Sequence, residues 1–351
     1  VDDVPIGLVP GLVSRPFDEL RSELAEALAT VKAAARFSEV LPAFLGAEGP
    51  RTYFVGAQNP AELRGTGGLI GAFSIMTVDA GRMELGSFRP IQDLAGADGI
   101  EPPNPDYAAR YDRFGGAGFW LNINMTPDFP SAATAIERLW AATQEQPVDG
   151  TIVADPEALA LLMEGGPPVD VPGSDLTVDA ATLVPFVTNE AYEVFREPPV
   201  RKRLLGEVAG QVLGRFLSGS GDPIQAGRAL AEAVGDGHLL LHAADPGTQE
   251  ALEVADAAGR LLDPRGDFLA VVANNAAGNK VDFYLNRSIR HEVALQPGGR
   301  AEVTTEITFV NEAPSEGVVP YVIGPFEDVS AAGEQVMFLS VYAPGDARLL
   351  G

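Results

Sequence analysis

The residues most able to do chemistry are loop residues and cations that could hold an anion. Arg64 is followed by a Gly-Thr-Gly-Gly run that contains Thr66, Gly67 and Gly68, and Glu62 stands two residues before it. Glycines let backbone N–H groups approach an anion closely, and an arginine adds a bidentate charged donor. We therefore predict that these five residues contact an anionic ligand.

The same loop also has a purely structural interpretation. Its glycines would then only make a tight connection between two strands, and Arg64 would pair with Glu62. The run is not a P-loop, because no Gly-Lys-Ser/Thr follows it, and it is not a dinucleotide fingerprint, because no helix is predicted after it. The residues alone are consistent with either interpretation.

The densest basic cluster of the chain is a second candidate site. Arg201, Lys202 and Arg203 follow Pro199, which predicts that they lie in the first turn of a helix. Cations in a first turn oppose the helix dipole, which is unfavourable unless an anion lies there. We expect the three side chains to be exposed, and a solvated face beside the preceding glutamates explains them equally well.

Polar side chains at the end of a predicted strand form a third candidate. Phe119–Met125 alternates in the way a strand does, and it carries Asn122 and Asn124, while Asp128 precedes a predicted helix. Ligands of open α/β sheets bind where strands end and helices begin. Asp128 is equally explained as an N-cap.

Short apolar runs must position the glycine loop. Thr52–Ala57 and Leu69–Val78 are rich in aromatic and β-branched residues and predict buried strands. Asp79-Ala80-Gly81 predicts a hairpin turn into a third strand over Arg82–Ser87. Leucines at three- and four-residue spacing predict an amphipathic helix over residues 17–36.

Strands and helices then alternate up to about residue 278. The later predicted elements are helices at 107–114, 131–143, 156–163, 179–234 and 246–258 and strands at 148–154, 238–243 and 268–273. Beyond them, only strands separated by Pro and Gly turns are predicted, at 280–296, 300–313, 318–325 and 334–344.

This order predicts an α/β fold, an α/β/α sandwich with a mixed central sheet. We assign residues 1–50 to an N-terminal helical segment, 51–278 to the core domain and 279–351 to a small all-β module. The helix–strand alternation stops near residue 279, so we expect the core domain to be separable. The module has few strands, and we expect the natural chain to continue beyond it.

Composition limits the ligand classes. Of 351 residues, 46% are hydrophobic, and 24 Lys and Arg against 49 Asp and Glu give a net charge of −25. The overall field therefore repels nucleic acid and anionic lipid surfaces, and an anionic ligand must be held by a local basic patch. No cysteine is present, which excludes disulfides and thiol chemistry. We interpret His238 and His242, which flank three leucines, as structural.

Several phrases resemble a family of bacterial, largely actinobacterial, envelope proteins of unknown function. They are QNPAELRGTGGLIG, NMTPDFPSAA, VDGTIVADPEALALLMEGGPPVDV, GNKVDFYLNR and YVIGPFEDVSAAGEQVMFLSVYAP, and they cover most of residues 51–345. This resemblance implies a place in the cell envelope but supplies no function.

A second resemblance is to the LytR-CpsA-Psr proteins, which transfer glycopolymers from polyprenyl pyrophosphate carriers to peptidoglycan. Arg64-Gly65-Thr66 before the strand LIGAFSIMTVD is similar to their Arg-Thr-Asp motif, although Gly67 and Gly68 stand where that motif has its Asp. Ser87-Phe88-Arg89 with Asp93 is similar to their Ser-Ile-Pro-Arg-Asp motif, and Arg201-Lys202-Arg203 is similar to their paired arginines.

The second resemblance implies a mechanism. The residues expected to neutralise a pyrophosphate are Arg64, Arg89, Arg201 and Arg203. The carboxylates expected to hold Mg²⁺ are Asp93, Asp128 and Asp155, in place of the missing Asp. An apolar groove between helices would take the lipid tail.

The predicted function is therefore the binding and transfer of a glycopolymer linked to polyprenyl phosphate or pyrophosphate. Its expected partners are the lipid-linked glycan and a cell-wall polymer, with no nucleic acid. We expect an extracytoplasmic protein, anchored in the membrane by a segment outside this chain. The alternative is an envelope binding or scaffold protein with this fold and no catalysis. A hydrolase with paired carboxylates has no supporting residue spacing.

Overall fold

The computed structural model describes residues 41–219, 221–262, 267–298, 300–326 and 329–350. The helix predicted at 17–36 lies outside these ranges, as does most of the N-terminal segment. Residues 41–44 are helical. In the described part of the chain, no helix has the length and apolar content needed to cross a membrane.

Twelve strands are named in chain order. They are β1 (Arg51–Asn59), β2 (Leu69–Asp79), β3 (Arg82–Leu85), β4 (Arg89–Pro90), β5 (Gly150–Ala154), β6 (Val169–Asp170), β7 (Thr177–Val178), β8 (Leu239–Ala243), β9 (Ala270–Asn275), β10 (Leu285–Gln296), β11 (Arg300–Asn311) and β12 (Met337–Tyr342).

The helices connect these strands. They are α1 (Pro105–Tyr111), α2 (Phe129–Gln144), α3 (Pro156–Met163), α4 (Leu183–Pro185), α5 (Ala191–Val194), α6 (Pro198–Leu217), α7 (Pro223–Gly235), α8 (Pro246–Val254) and α9 (Pro320–Ile323). A π-helical turn, Phe186–Glu190, joins α4 to α5, and shorter 3₁₀ turns lie at Ile91–Asp93, Asp112–Phe114, Gly116–Gly118 and Val281–Tyr284.

The central sheet has six strands in the order β3-β2-β1-β5-β8, and β4 also pairs with β2. β1 is antiparallel to β2 and parallel to β5, while β8 is antiparallel to β5. The sheet is therefore mixed, as predicted. The predicted hairpin turn is confirmed, because Ala80 and Gly81 take φ values of 48° and 83°, as a tight turn between β2 and β3 requires.

Helices cover both faces of this sheet. Phe54 of β1 packs with Ile136 of α2 in the core on one face. Its neighbours Tyr53 and Val55 point to the opposite face and share a core with Leu252 of α8. The predicted α/β/α sandwich is confirmed. A further apolar cluster joins α3, residues 183–195 and α6, and it forms the side of the molecule where the candidate site lies.

The strand predicted over Phe119–Met125 is wrong. This segment is a series of turns. Trp120, Ile123 and Met125 are buried while Phe119 is exposed, and the polar side chains of the segment bond to loop carbonyls. Asn122 Nδ2 donates to the carbonyl of Phe114, and Asn124 Nδ2 donates to the carbonyl of Gly68. Such side-chain bonds to the backbone replace the ladder bonds of a strand.

The C-terminal region has two further differences. The predicted strand at 318–325 is a helical turn, α9, because Pro320 occupies its first position, and Gly324 ends it with a φ value of 87°. The strand predicted at 268–273 was expected to belong to the α/β core. Instead, β9 pairs with β12 and does not join the central sheet. β10 and β11 form a long hairpin of their own.

Contacts cross the predicted boundary at residue 279. Lys280 Nζ lies 2.9 Å from Glu62 Oε2, and Asp282 Oδ2 accepts a bond of 2.7 Å from the backbone N–H of Leu63. These contacts tie the C-terminal region to the loop between β1 and β2. The separability of residues 51–278 stays a prediction, and expression of residues 1–278 would test it.

Candidate functional site

A pocket of about 120 Å³ opens at the carboxyl ends of the parallel strands β1 and β5 and extends between α3 and α6. Parallel strands direct ligands to this end of a sheet. Most of its lining is apolar. The larger apolar side chains are Leu69, Phe88, Leu159, Leu183, Val187, Leu205 and Val208. The charged and polar groups described next also line it.

Arg201 is the central charged residue of the pocket. It is 1% exposed, and its Nη1 donates to the carbonyl of Phe195 at 2.7 Å. Its Nη2 is buried and has no hydrogen-bond partner. Among the described residues, no carboxylate lies within ion-pair distance of Arg201. The expectation that this side chain is exposed is wrong, because Arg201 shares the inner stripe of α6 with Leu204 and Val208.

Two tyrosines pack against this guanidinium group. Its Cζ lies 4.5 Å from the ring centroid of Tyr192 and 4.3 Å from that of Tyr321. The two rings are stacked with centroids 5.7 Å apart. Asn59 at the end of β1 donates to the Tyr192 hydroxyl at 2.8 Å. The aromatic contacts hold Arg201 in position and partly offset the cost of burying its charge.

A second buried cation, Lys280, lies on the same rings. Its Nζ is 5.0 Å from the Tyr192 centroid and 5.7 Å from that of Tyr321. Unlike Arg201, it has an acidic partner, Glu62, at 2.9 Å. Burial lowers the pKa of Lys280, but Glu62 and the two tyrosines raise it more, so the net pKa lies above the ordinary value. The amine therefore stays charged.

Lys202 and Gln92 lie at the rim of the pocket. Lys202 Nζ donates to Gln92 Oε1 at 2.9 Å in an exposed contact. The predicted basic cluster thus divides, with Arg201 inside and Lys202 at the rim. Arg203 is 66% exposed and lies 3.8 Å from Glu207 in the same helix. It is not among the residues that line the pocket.

Arg64 lies in the loop between β1 and β2, where its donors are used within the protein. Nε donates to the carbonyl of Leu121 at 3.0 Å, and Nη1 donates to the carbonyls of Leu63 and Asn275 at 2.9 and 3.0 Å. Nη2 lies 3.4 Å from Asn122 Oδ1. Burial lowers the pKa of Arg64. Arg64 does not line the pocket that contains Arg201.

The rest of the loop is closely packed. Thr66 Oγ1 accepts bonds from Gln58 Nε2 at 2.6 Å and from Asn124 Nδ2 at 2.8 Å. A Cβ atom added at Gly68 would lie 2.4 Å from the backbone of Asn59, so no larger residue fits there. Gly67 has a φ value of 122°. In this geometry, the loop fixes the start of β2 beside the pocket. Of the ligand-binding residues predicted in this loop, Glu62 lines the pocket, and Thr66, Gly67 and Gly68 do not.

The other predicted site residues lie apart. Arg89 is 58% exposed, with its Cζ 5.4 Å from the Phe73 centroid and its Nε 3.7 Å from Asp93. Asp128 is the N-cap of α2 and accepts from the backbone N–H groups of Ser131 and Leu261. Neither carboxylate, Asp93 or Asp128, lies within ion-pair distance of Arg201 or lines its pocket.

Asp155 lines the pocket but is already engaged. As the N-cap of α3, it accepts from the N–H groups of Glu157 and Ala158, and its Oδ2 lies 2.7 Å from His238 Nδ1. Within the described ranges, no three His, Asp or Glu side chains converge in a way that could hold a metal ion. Asp93, Asp128 and Asp155 therefore do not form one Mg²⁺ site. Whether the protein uses Mg²⁺ stays a prediction.

Three residues that surround the Arg201 guanidinium or share its aromatic rings were not predicted from the sequence. Tyr192, Lys280 and Tyr321 come from separate helical turns and loops spread over about 130 residues of the chain. Lys280 carries one signal that could have found it, because it stands within a mostly uncharged phrase, GNKVDFY. A lone lysine in such a setting needs an acidic partner when it is buried. Nothing in the sequence identifies Glu62 as that partner.

Comparison with known proteins gives a family of unknown function. Residues 48–192 match the family described as a protein of unknown function, DUF4012, which agrees with the first resemblance in so far as it names a family of unknown function. The match spans less than half of the chain and ends at Tyr192 in the pocket. No curated protein matches the sequence.

Two solved structures are similar to the chain at low identity. A transcriptional regulator from Enterococcus faecalis has 12% identity and a TM-score of 0.36, over 61% of this chain and 73% of that one. TagV from B. subtilis, a LytR-CpsA-Psr family member, has 13% identity and a TM-score of 0.34, over 63% of this chain and 87% of TagV. At these values, neither likeness assigns a function.

Proposed function

We propose that the chain binds the polyprenyl phosphate or pyrophosphate carrier of a cell-envelope glycopolymer in this pocket. The observation that supports the proposal is the buried guanidinium of Arg201, whose Nη2 has no hydrogen-bond partner, in the lining of a mostly apolar cavity. A ligand with an anionic head and an apolar tail matches both features. The predicted location in the envelope and the membrane anchor outside this chain belong to the same proposal.

The energetics favour such a ligand. An unpaired buried charge is costly, and a hydrogen bond to a charged group contributes roughly 1.5 to 3 kcal/mol. Each CH₂ group of a lipid tail buried against Leu159, Leu183 or Leu205 contributes about 0.8 kcal/mol more. A phosphate at Arg201 would therefore be held locally despite a net charge of −25.

Binding alone and glycopolymer transfer are distinguished by the product. In an envelope binding or scaffold protein, the carrier leaves the pocket unchanged. In a phosphotransferase acting on a pyrophosphate carrier, a hydroxyl oxygen of the cell-wall acceptor forms a bond to the glycan phosphorus and gives up its proton. The bond between the glycan phosphate and the carrier phosphate breaks, and prenyl phosphate is released. Incubation with a prenyl-linked glycan and a cell-wall acceptor, with and without Mg²⁺, followed by mass spectrometry of the lipid, separates the two.

Calorimetric titration with geranylgeranyl phosphate tests the binding step. We expect Arg201→Met to weaken binding by more than about tenfold, or ~1.4 kcal/mol. Arg203→Met is the matched control, because it removes the same charge from an exposed position of the same helix. We expect it to change affinity by less than about threefold. Equal affinity of the wild-type protein and Arg201→Met would refute the proposed site.

A further inference from the structure

Three charged side chains form a group around the pair of tyrosine rings in the pocket. Arg201 and Lys280, which lie on the rings, each contribute a positive charge. Glu62, which pairs with Lys280, contributes a negative charge. These three side chains together carry one positive unit, and the cation without a carboxylate partner is Arg201.

We infer that the pocket selects a lipid head group with one negative charge, a prenyl phosphodiester such as a prenyl phosphoryl sugar, over a pyrophosphate, and that Glu62 sets this preference. This inference rests on the proposed function and names its substrate class. A phosphodiester carries a single negative charge at neutral pH, whereas a pyrophosphate linked to a lipid carries at least two.

Charge compensation is the physical reason. One negative charge neutralises Arg201 and leaves the Lys280–Glu62 pair intact at 2.9 Å. A second negative charge placed at the other buried cation, Lys280, would lie close to the Glu62 carboxylate, and it would be repelled in a poorly solvated site. The remaining charged groups of the lining do not supply a buried cation that would neutralise a second negative charge.

Lys202 and Asp155 are those remaining groups. Lys202 lies at the exposed rim, where solvent and salt screen its charge, and it is bonded to Gln92. Asp155 adds a further carboxylate to the lining, next to His238. The pocket therefore has no surplus buried cation for a second negative charge among the described residues.

Three probes with the same tail test the preference. They are geranylgeranyl methyl phosphate, geranylgeranyl phosphate and geranylgeranyl diphosphate, titrated at pH 8 into the wild-type protein. We expect the diester to bind more tightly than the diphosphate by about tenfold or more. The monoester, whose second pKa is about 6, should lie between them.

Glu62→Gln should reverse this order. The amide keeps the size of the side chain and an oxygen for Lys280 but removes the negative charge, so the cluster gains a second unpaired cation. We expect the diphosphate to gain at least about tenfold in affinity, while the diester changes little. Glu197→Gln is the control, because it makes the same change in net charge at an exposed position. It should leave the order unchanged.

A double variant separates charge from folding. Glu62→Gln with Lys280→Gln removes both members of the pair and keeps a net charge of one positive unit, so the wild-type order should return even if either single variant is poorly folded. A wild-type preference for the diphosphate, or the same head-group order in the wild-type protein and a folded Glu62→Gln, overturns the inference and leaves the proposed function standing. If none of the three probes binds the wild-type protein, the proposed function itself fails.

Discussion

Two arginines, the half-buried Arg64 and the buried Arg201, show how differently the same side chain can serve in one protein. Arg64 in the β1–β2 loop donates to three backbone carbonyls and lies close to Asn122. Arg201 at the start of α6 lies against two tyrosine rings and leaves Nη2 without a partner. Arg64 therefore connects loops, whereas Arg201 offers a donor to a ligand.

The difference shows that burial alone does not identify a binding cation. Arg64 is half-buried and Arg201 is buried, and both were predicted to contact an anion. The distinguishing feature is whether the donors are satisfied within the protein, because a satisfied guanidinium gains little from a ligand and an unsatisfied one gains a charged hydrogen bond. Mutations at the two positions should therefore have opposite consequences for stability and binding.

The largest effect is expected for Arg64→Met. The methionine keeps much of the volume but leaves the partly buried carbonyls of Leu121 and Asn275 without this donor. Each unsatisfied buried group costs about 1 to 3 kcal/mol, so the free energy of unfolding should fall by about 4 kcal/mol. Urea denaturation followed by circular dichroism measures this change. A loss below about 1 kcal/mol would remove the distinction between the two arginines.

A smaller effect is expected from the carboxyl group that supports the Arg64 loop. Asp282 accepts from the N–H of Leu63 and from Asn275 Nδ2, and burial raises its pKa from 3.8 to about 6. The folded protein thus holds this proton more tightly than the unfolded chain does. The stability that this protonation contributes is fully present below about pH 4 and is lost as the pH rises through about 6.

Comparison with Asp282→Asn isolates this contribution. Between pH 4 and pH 7, the wild-type free energy of unfolding minus that of the variant should fall by about 2 kcal/mol. Urea denaturation at five pH values measures the difference, and other acidic residues cancel because both proteins contain them. A difference that stays flat or rises with pH would show that the Asp282 carboxyl is as well stabilised when charged as it is in water.

The sequence predicts the fold better than the site, for physical reasons. Local periodicity and turn residues predict β1, the β2–β3 hairpin and the helices α2 to α8, since each depends on neighbours within a few residues. The pocket depends on contacts between Tyr192, Arg201, Lys280 and Tyr321, which no local pattern encodes. The turns at 119–125 were missed because the residue types alternate there without strand pairing.

The smallest effect on stability is expected for Arg201→Met, where the comparison is sharpest. The substitution removes the free-energy cost of a buried cation that has no acidic partner, and the methionine still packs against Tyr192 and Tyr321. The loss of the hydrogen bond to the Phe195 carbonyl lowers the stability. We expect these terms to offset each other, so that the free energy of unfolding changes by less than about 1 kcal/mol. Urea denaturation beside Arg64→Met under one set of conditions measures both changes. A folded, equally stable Arg201→Met that no longer binds geranylgeranyl phosphate identifies a cation kept for its ligand, whereas a loss of stability as large as that of Arg64→Met would make Arg201 a structural residue like Arg64.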